Sequence, residues 1–89
     1  MRFLIQRVRF RRDYKLQKRR GKNIAKLEKV VQILTEDSEL PVSYQPHKLS
    51  GEYQGLWECH IEPDWLLVYC KTNTDIIFER IGSHSDLFK

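Results

Sequence analysis

The stretch from Leu56 to Ile81, LWECHIEPDWLLVYCKTNTDIIFERI, carries the pattern that decides the fold. It contains three runs rich in β-branched and aromatic residues, Leu56–Ile61, Trp65–Cys70 and Asp75–Ile81, separated by the turn sequences EPD and KTNT. Proline in the first turn and asparagine in the second are typical of tight reversals. The middle run begins WLLVY and is apolar on both faces, as in a central strand. We therefore predict three antiparallel strands.

The residues before this stretch predict one further strand and a first helix. Arg2–Gln6 has the composition of a short strand. From Arg7 onward the periodicity changes, because Phe10 and Tyr14 lie four residues apart on a strongly basic background. This spacing predicts a helix that ends near Gly21.

A second helix follows. Asn23 is a typical N-cap, and the helix should end around Thr35–Asp37. Its apolar stripe has members three or four residues apart: Ile24, Leu27, Val31 and Leu34. Glu39–Gly55 is predicted to be a long loop, and Gly82 should begin a short C-terminal tail. The fold class is therefore α+β in a single domain of residues 1–89: an N-terminal strand, a helical hairpin packed on one sheet face, then an antiparallel sheet of three or more strands.

The charge is distributed unevenly along the 89 residues. Residues 1–35 contain twelve Lys or Arg and two acidic residues, whereas residues 36–89 contain four basic and ten acidic ones. This segregation is typical of a protein that presents a basic face to a polyanion. Two solvated helices without a partner would account for the pattern about as well.

The sequence also indicates a compartment. No apolar run approaches the roughly 20 residues that span a bilayer, and the N-terminus is too charged for a secretory signal. Cys59 should lie opposite Leu67 in a hairpin. This places Cys70 about 10 Å away along the strand, beyond disulfide reach. We therefore predict free thiols and a cytoplasmic protein.

The three histidines define a candidate site. Glu58 and His60 are two residues apart in a strand and share one face. His47 lies in the preceding loop and His84 in the tail, so only the fold can bring them to His60. Each residue alone has a structural explanation, such as a solvated loop histidine or a partner that pins the tail. Jointly, three groups that exchange protons near neutral pH favour catalysis.

Three kinds of chemistry compete for this site. A metal centre is disfavoured because no H-x3-H or C-x2-C spacing is present, and we predict no metal. A nucleophile is disfavoured because Ser83, Ser85 and Cys59 are sequence neighbours of histidines, and such neighbours rarely pair with them. Cleavage of RNA requires less, because the substrate supplies its own nucleophile, the 2′-OH. The protein then needs only a base, an acid and cations.

The motif H-x-L-x-G at His47, followed by WECHIEPDWLLVY and FERIGSHSDLF, resembles the YafQ-type branch of the RelE/ParE toxin superfamily. These are toxins of bacterial type II toxin–antitoxin modules. The resemblance covers Tyr44 to Phe88, and the first 43 residues match only in layout. It implies a RelE-like fold and a ribosome-dependent mRNA endonuclease that cuts A-site codons without metal or cofactor. The products would be a 2′,3′-cyclic phosphate or 3′-phosphate and a 5′-hydroxyl.

The resemblance also implies roles for single residues. The catalytic positions would be His47, His60, Asp64 and His84, with acid and base unassigned. Substrate positioning would involve Trp65, Phe88, Glu58 and Arg80. For contact with ribosomal RNA we predict the basic side chains of the first helix and the turn after it: Arg9, Arg11, Arg12, Lys15, Lys18, Arg19, Arg20 and Lys22.

The implied partners are a cognate antitoxin protein, the ribosome and mRNA, with no membrane and no small-molecule cofactor. The main alternative is a non-catalytic, ParE-like toxin that inhibits a protein target such as gyrase, since that function occurs on the same scaffold. An inactive antitoxin-binding domain is a third possibility. The histidine set favours the enzyme, because a binding protein does not need three titratable groups in one place.

Overall fold

A computed structural model describes residues 1–36 and 38–88 of the chain. Its strands are β1 (Phe3–Gln6), β2 (His47–Lys48), β3 (Trp57–Glu62), β4 (Trp65–Lys71) and β5 (Asp75–Gly82). Its α-helices are α1 (Val8–Arg19), α2 (Ile24–Thr35) and α3 (His84–Leu87), with 3-10 turns at Val42–Tyr44 and Gly51–Tyr53. The predicted α+β class is confirmed.

The five strands form one sheet in the order β1-β5-β4-β3-β2. β1 runs parallel to β5, and the other three pairs are antiparallel. β4 is central as predicted, and Trp65 to Tyr69 are buried on both of its faces. Cys59 lies opposite Leu67, and both cysteines are free, so the predicted hairpin register is confirmed.

The two long helices cover one face of the sheet. Phe10 of α1 and the α2 side chains Leu27, Val30 and Leu34 join a core with the alternate strand residues that face them. Those strand residues include Trp65, Leu67, Tyr69, Ile76, Phe78 and Ile81. The opposite face carries a smaller cluster around Leu66, Val68 and Leu87. This second face remains available for a site.

The helix boundaries follow their sequence signals. Asn23 caps α2, because its Oδ1 accepts a hydrogen bond from the backbone N–H of Ala25 at 3.1 Å. α2 ends at Thr35, and Asp37, the other predicted limit, lies outside the described residues. In the apolar stripe, Val30 is fully buried whereas Val31 is half-buried.

Two short elements differ from the prediction. Residues His47 and Lys48 were predicted as loop, but they pair with β3 as strand β2. Residues after Gly82 were predicted as a tail, but they form α3. In α3, Ser83 and Asp86 make a capping box. Neither element has a periodicity, because each is shorter than the window in which a repeat can be recognised. No helix in the described ranges is long and apolar enough to cross a membrane.

Candidate active site

A row of polar side chains crosses the sheet face that the long helices leave open. Directly opposed residues of neighbouring strands share a face. The register aligns His47 with Glu58, Glu58 with Val68, and Val68 with Arg80. His60 lies on the same face as Glu58, two residues further along β3. The sheet therefore joins the predicted His47, Glu58 and His60 into one group.

Glu58 forms the centre of this group. Its side chain is 6% exposed, and its Oε1 lies 3.3 Å from His47 Nε2 and 3.6 Å from His60 Nε2. A buried carboxylate is costly unless cations or donors surround it. The two imidazoles provide those partners, so Glu58 and the histidines form one electrostatic unit.

The Nδ1 atoms of His47 and His60 face backbone carbonyls. His47 Nδ1 lies 2.8 Å from the carbonyl of Gln45, and His60 Nδ1 lies 3.3 Å from the carbonyl of Pro63. A carbonyl oxygen only accepts hydrogen bonds, so each Nδ1 is the donor. Each Nε2 then faces the Glu58 carboxylate, and this approach is favourable only when a proton lies between them.

His84 and Asp64 form a second pair beside the first. His84 Nδ1 lies 2.6 Å from Asp64 Oδ1, and the backbone N–H of His84 donates to the same oxygen at 2.9 Å. The backbone hydrogen bond, and then the side-chain one, hold the pKa of Asp64 below its usual range. Asp64 therefore orients the ring through Nδ1. The ring centroids of His60 and His84 are 5.9 Å apart.

α3 fixes His84 in place. The Ser83 hydroxyl accepts from the backbone N–H of Asp86, and Asp86 accepts from the backbone N–H of Ser83. Arg20 of the turn after α1 donates to both carboxylate oxygens of Asp86, at 2.7 and 3.2 Å, and lowers the pKa of that carboxyl. A Cβ at Gly82 would lie 2.8 Å from the Asp86 side chain, so this glycine permits the close approach.

An aromatic edge closes the site beyond His84. Phe88 is 40% exposed and packs edge-on against Tyr53, with centroids 5.4 Å apart. The Tyr53 hydroxyl donates to the carbonyl of Leu87 and lies 3.4 Å from Arg80. Sequence reasoning missed Tyr53, because no local pattern links it to Leu87, which lies 34 residues away.

Arg80, which was predicted to position the substrate, is paired with a carboxylate of α1. The Arg80 guanidinium forms two hydrogen bonds to Asp13, at 2.6 and 3.2 Å. Asp13 also accepts from the backbone N–H of Ile81. The two partners are 67 residues apart and meet only because α1 packs against β5. Arg80 therefore ties α1 to the sheet beside Tyr53.

The chain is similar to known proteins over almost its whole length. Residues 4–89 match the family described as bacterial toxin of type II toxin–antitoxin system, YafQ. The mRNA interferase toxin YafQ of Escherichia coli K12 is 38% identical over 80 residues, which cover 89% of this chain and 87% of that protein. The chain belongs to the YafQ family of bacterial toxins. Two curated E. coli relatives are named mRNA interferase toxin YafQ, so the predicted enzyme class, endoribonuclease, is confirmed at family level.

Solved YafQ-family structures agree with the fold. YafQ in the E. coli DinJ–YafQ complex superimposes with a TM-score of 0.92 at 34% identity, with full coverage of both chains. A metal-bound toxin from Helicobacter pylori gives a TM-score of 0.90 at 34% identity, over 99% of this chain and 100% of the other. The predicted RelE-like arrangement is therefore that of the YafQ family.

The site contains a possible set of metal ligands. One donor atom from each of His47, Glu58 and His60 lies within 4.8 Å of the others. Nitrogen and carboxylate oxygen in this number suit a transition metal. The sequence argument against a metal relied on local spacing, and it missed a cluster that the β2–β3 register assembles.

Trp65 occupies a different environment from the histidines. Its side chain is fully buried in the core beneath the helices, and Lys22 Nζ lies 5.1 Å from the ring centroid. Trp65 therefore cannot stack on a base in this conformation.

Two of the eight cations predicted to bind RNA are engaged within the protein. Arg20 binds Asp86, and Lys22 binds Glu62. The other six lie on α1 with exposed side chains: Arg9, Arg11, Arg12, Lys15, Lys18 and Arg19. This exposed row is the surface still available for a polyanion.

Proposed function

We propose that the protein is a ribosome-dependent endoribonuclease that cleaves mRNA in the A site by metal-independent acid–base catalysis in the bacterial cytoplasm. The observation that carries the proposal is the pair of imidazole rings of His60 and His84, whose centroids are 5.9 Å apart and which lie beside the carboxylates of Glu58 and Asp64 respectively. In the proposed reaction the phosphate lies against both rings, so that one histidine abstracts a proton while the other donates one.

The proposed reaction uses one histidine as the base and the other as the acid. One histidine removes the proton from the 2′-OH, and the resulting oxygen attacks the adjacent phosphorus. The bond from phosphorus to the 5′-oxygen breaks, and the other histidine protonates that oxygen. The products are a 2′,3′-cyclic phosphate and a 5′-hydroxyl, with no net consumption of protons. Each well-placed acid or base contributes about 10²–10⁴-fold to the rate.

The carboxylates support different parts of this chemistry. Asp64 holds His84 at Nδ1 and leaves Nε2 to exchange a proton with RNA. Glu58 places a carboxylate oxygen 3.3 Å from His47 Nε2 and 3.6 Å from His60 Nε2. Phe88 is exposed at the edge, where a base can stack on it. Arg80 positions that edge through Tyr53.

The partners follow from the surface and the family. The site is open and small, so mRNA must be held by something else, and the exposed cations of α1 suit ribosomal RNA. The E. coli relative forms a complex with DinJ, which supports a cognate antitoxin for this chain.

The chemistry is tested with an mRNA that carries a single 2′-deoxynucleotide at the cleaved position. On translating ribosomes the unmodified mRNA should yield a 5′-hydroxyl end and a cyclic phosphate, and the modified mRNA should stay intact at that position. Equal cleavage of the two mRNAs would exclude the 2′-OH as nucleophile. The product would then carry no cyclic phosphate.

A further inference from the structure

A cleft adjoins the histidine site at Asp64, which belongs to both. It measures about 380 Å³ and lies between the end of α1, the start of α2 and the β3–β4 turn. Asp64 and Trp65 line it from the sheet, and Gln17 and Lys22 line it from the helical side. Because Asp64 also binds His84, a ligand in this cleft would lie next to the reacting phosphate.

Two buried donors in the walls of this cleft have no partner within the described residues. They are Nε2 of Gln17 and Nε1 of Trp65, on side chains that are 2% and 0% exposed. Buried N–H groups are nearly always hydrogen-bonded, because an unpaired one loses its hydration without compensation. Two such donors in one cleft indicate a place for a ligand rich in oxygen acceptors.

The cleft also contains two ammonium groups held by one carboxylate. Lys22 Nζ lies 2.6 Å from Glu62 Oε1, and Lys26 Nζ lies 3.1 Å from Glu62 Oε2. These contacts lower the pKa of Glu62, which is therefore ionised at neutral pH. Two lysines that share an anion in this way are arranged as they would be around a phosphate.

Lys22 connects the cations to the unpaired donors. Its ammonium lies 5.1 Å from the centroid of the Trp65 ring, and its backbone N–H donates to the carbonyl of Gln17. A movement of the Lys22 side chain away from Glu62 would therefore also change its contact with the Trp65 ring, which carries one of the two donors.

We propose that this cleft binds an RNA phosphate next to the cleaved bond, an inference that rests on the proposed ribonuclease function. Lys22 and Lys26 exchange the Glu62 carboxylate for the phosphate, and Gln17 and Trp65 donate their N–H groups to the oxygens of that nucleotide. Glu62 occupies the two lysines in the free protein and competes with RNA for them. Removal of its charge should therefore tighten RNA binding.

The test uses the two tryptophans as reporters. The ¹⁵N-labelled protein is titrated with a 2′-O-methylated RNA trinucleotide, which cannot be cleaved because the attacking hydroxyl is blocked. The Trp65 indole N–H and the Gln17 amide signals should shift on binding. The Trp57 indole, which lies in a different pocket beside Leu34 and Tyr69, is the internal control and should shift much less.

Three variants complete the test. Glu62→Gln should bind the trinucleotide about threefold to tenfold more tightly, whereas Glu39→Gln, the same charge change at an exposed acid, should bind like the unaltered protein. Lys22→Gln combined with Lys26→Gln should abolish the Trp65 shift. It should also lower the slope of log Kd against log salt by about 0.7 per lost contact. Circular dichroism confirms that each variant is folded.

The outcomes separate this inference from the proposed function. Equal shifts at Trp57 and Trp65, or equal affinities for Glu62→Gln and Glu39→Gln, would show that the lysines and Glu62 are only a structural ion pair. That result leaves cleavage untouched. Specific binding in the cleft by a protein that cuts no mRNA would instead support the subsite and remove the proposed function.

Discussion

At His84, an effect of mutation on the cleavage rate can be distinguished from an effect on the stability of the fold. Its side chain is 55% exposed, and its contacts are Asp64 on one side and the rings of His60 and Phe88 on the others. Loss of an exposed imidazole removes little packing. A large effect on rate therefore identifies it as an acid or base.

We expect His84→Ala to slow mRNA cleavage on translating ribosomes by about 10²–10⁴-fold, with its Tm nearly unchanged. Single-turnover cleavage and a thermal melt measure the two quantities. Ser85→Ala, at the exposed neighbouring position, is the matched control and should retain full activity. A His84→Ala protein that remains fully toxic at equal expression would favour the non-catalytic, ParE-like alternative.

Chelation decides the role of the His47, Glu58 and His60 donors. If these groups act as proton carriers, protein treated with EDTA should cleave mRNA as fast as untreated protein. The EDTA is removed from the treated protein before the assay. The cleavage rate is then measured on ribosomes in buffer that contains Mg²⁺, because ribosomes require that ion. Loss of activity that Zn²⁺ or Mn²⁺ restores would make the cluster a catalytic metal centre.

α3 contains His84 and is attached to the turn after α1 by the ion pair between Asp86 and Arg20. The strength of this attachment depends on pH. Arg20 holds the pKa of Asp86 below its ordinary value of about 3.8. The pairing therefore stabilises the fold fully above that value, and its contribution is lost as pH falls through the lower folded-state pKa.

Asp86→Asn should lower the Tm at pH 7 by about 2–8 °C, because the charged pair with Arg20 is lost and the Ser83 cap is weakened. The difference in Tm between the two proteins should shrink as the pH is lowered below about 4. Thermal melts from pH 7 to pH 3 measure it. Glu28→Gln, an exposed acid on α2, is the control and should show no such difference. A difference that grows on acidification would contradict the assignment.

α1 is the second element with a function of its own. Replacement of Arg11, Arg12, Lys18 and Arg19 by glutamine should weaken ribosome binding and reduce its salt dependence, because fewer phosphate counterions are released. Filter binding at several salt concentrations measures the slope. Lys29→Gln with Lys71→Gln, exposed cations on other elements, should change the slope much less. An unchanged slope in the α1 variant would mean that the row is only a solvated surface.

At the scale of the whole molecule, periodicity predicted the parts of the fold that are long enough to repeat. β3, β4 and β5 were located because each contains an apolar run between turn residues, and α2 because Asn23 precedes a stripe with helical spacing. The site residues Glu58 and His60 were placed on one face because β3 alternates its side chains.

The remaining features depend on tertiary contacts that no local pattern encodes. β2 has only two residues, and it becomes a strand because β3 offers it a free edge. The Asp13–Arg80 pair joins residues 67 positions apart. The β2–β3 register also brings His47 to Glu58, and this contact created the metal-ligand cluster that spacing arguments excluded.

The measurement that tests the account most directly is cleavage of two mRNAs that differ only in their start codon. Purified protein, ribosomes and translation factors are incubated with each mRNA, and new 5′ ends are mapped by primer extension. The account predicts 5′-hydroxyl ends within the reading frame of the translated mRNA and none in the mRNA without a start codon. Cleavage at the same positions and rates in both mRNAs would contradict it, because the protein would then need no ribosome to position its substrate.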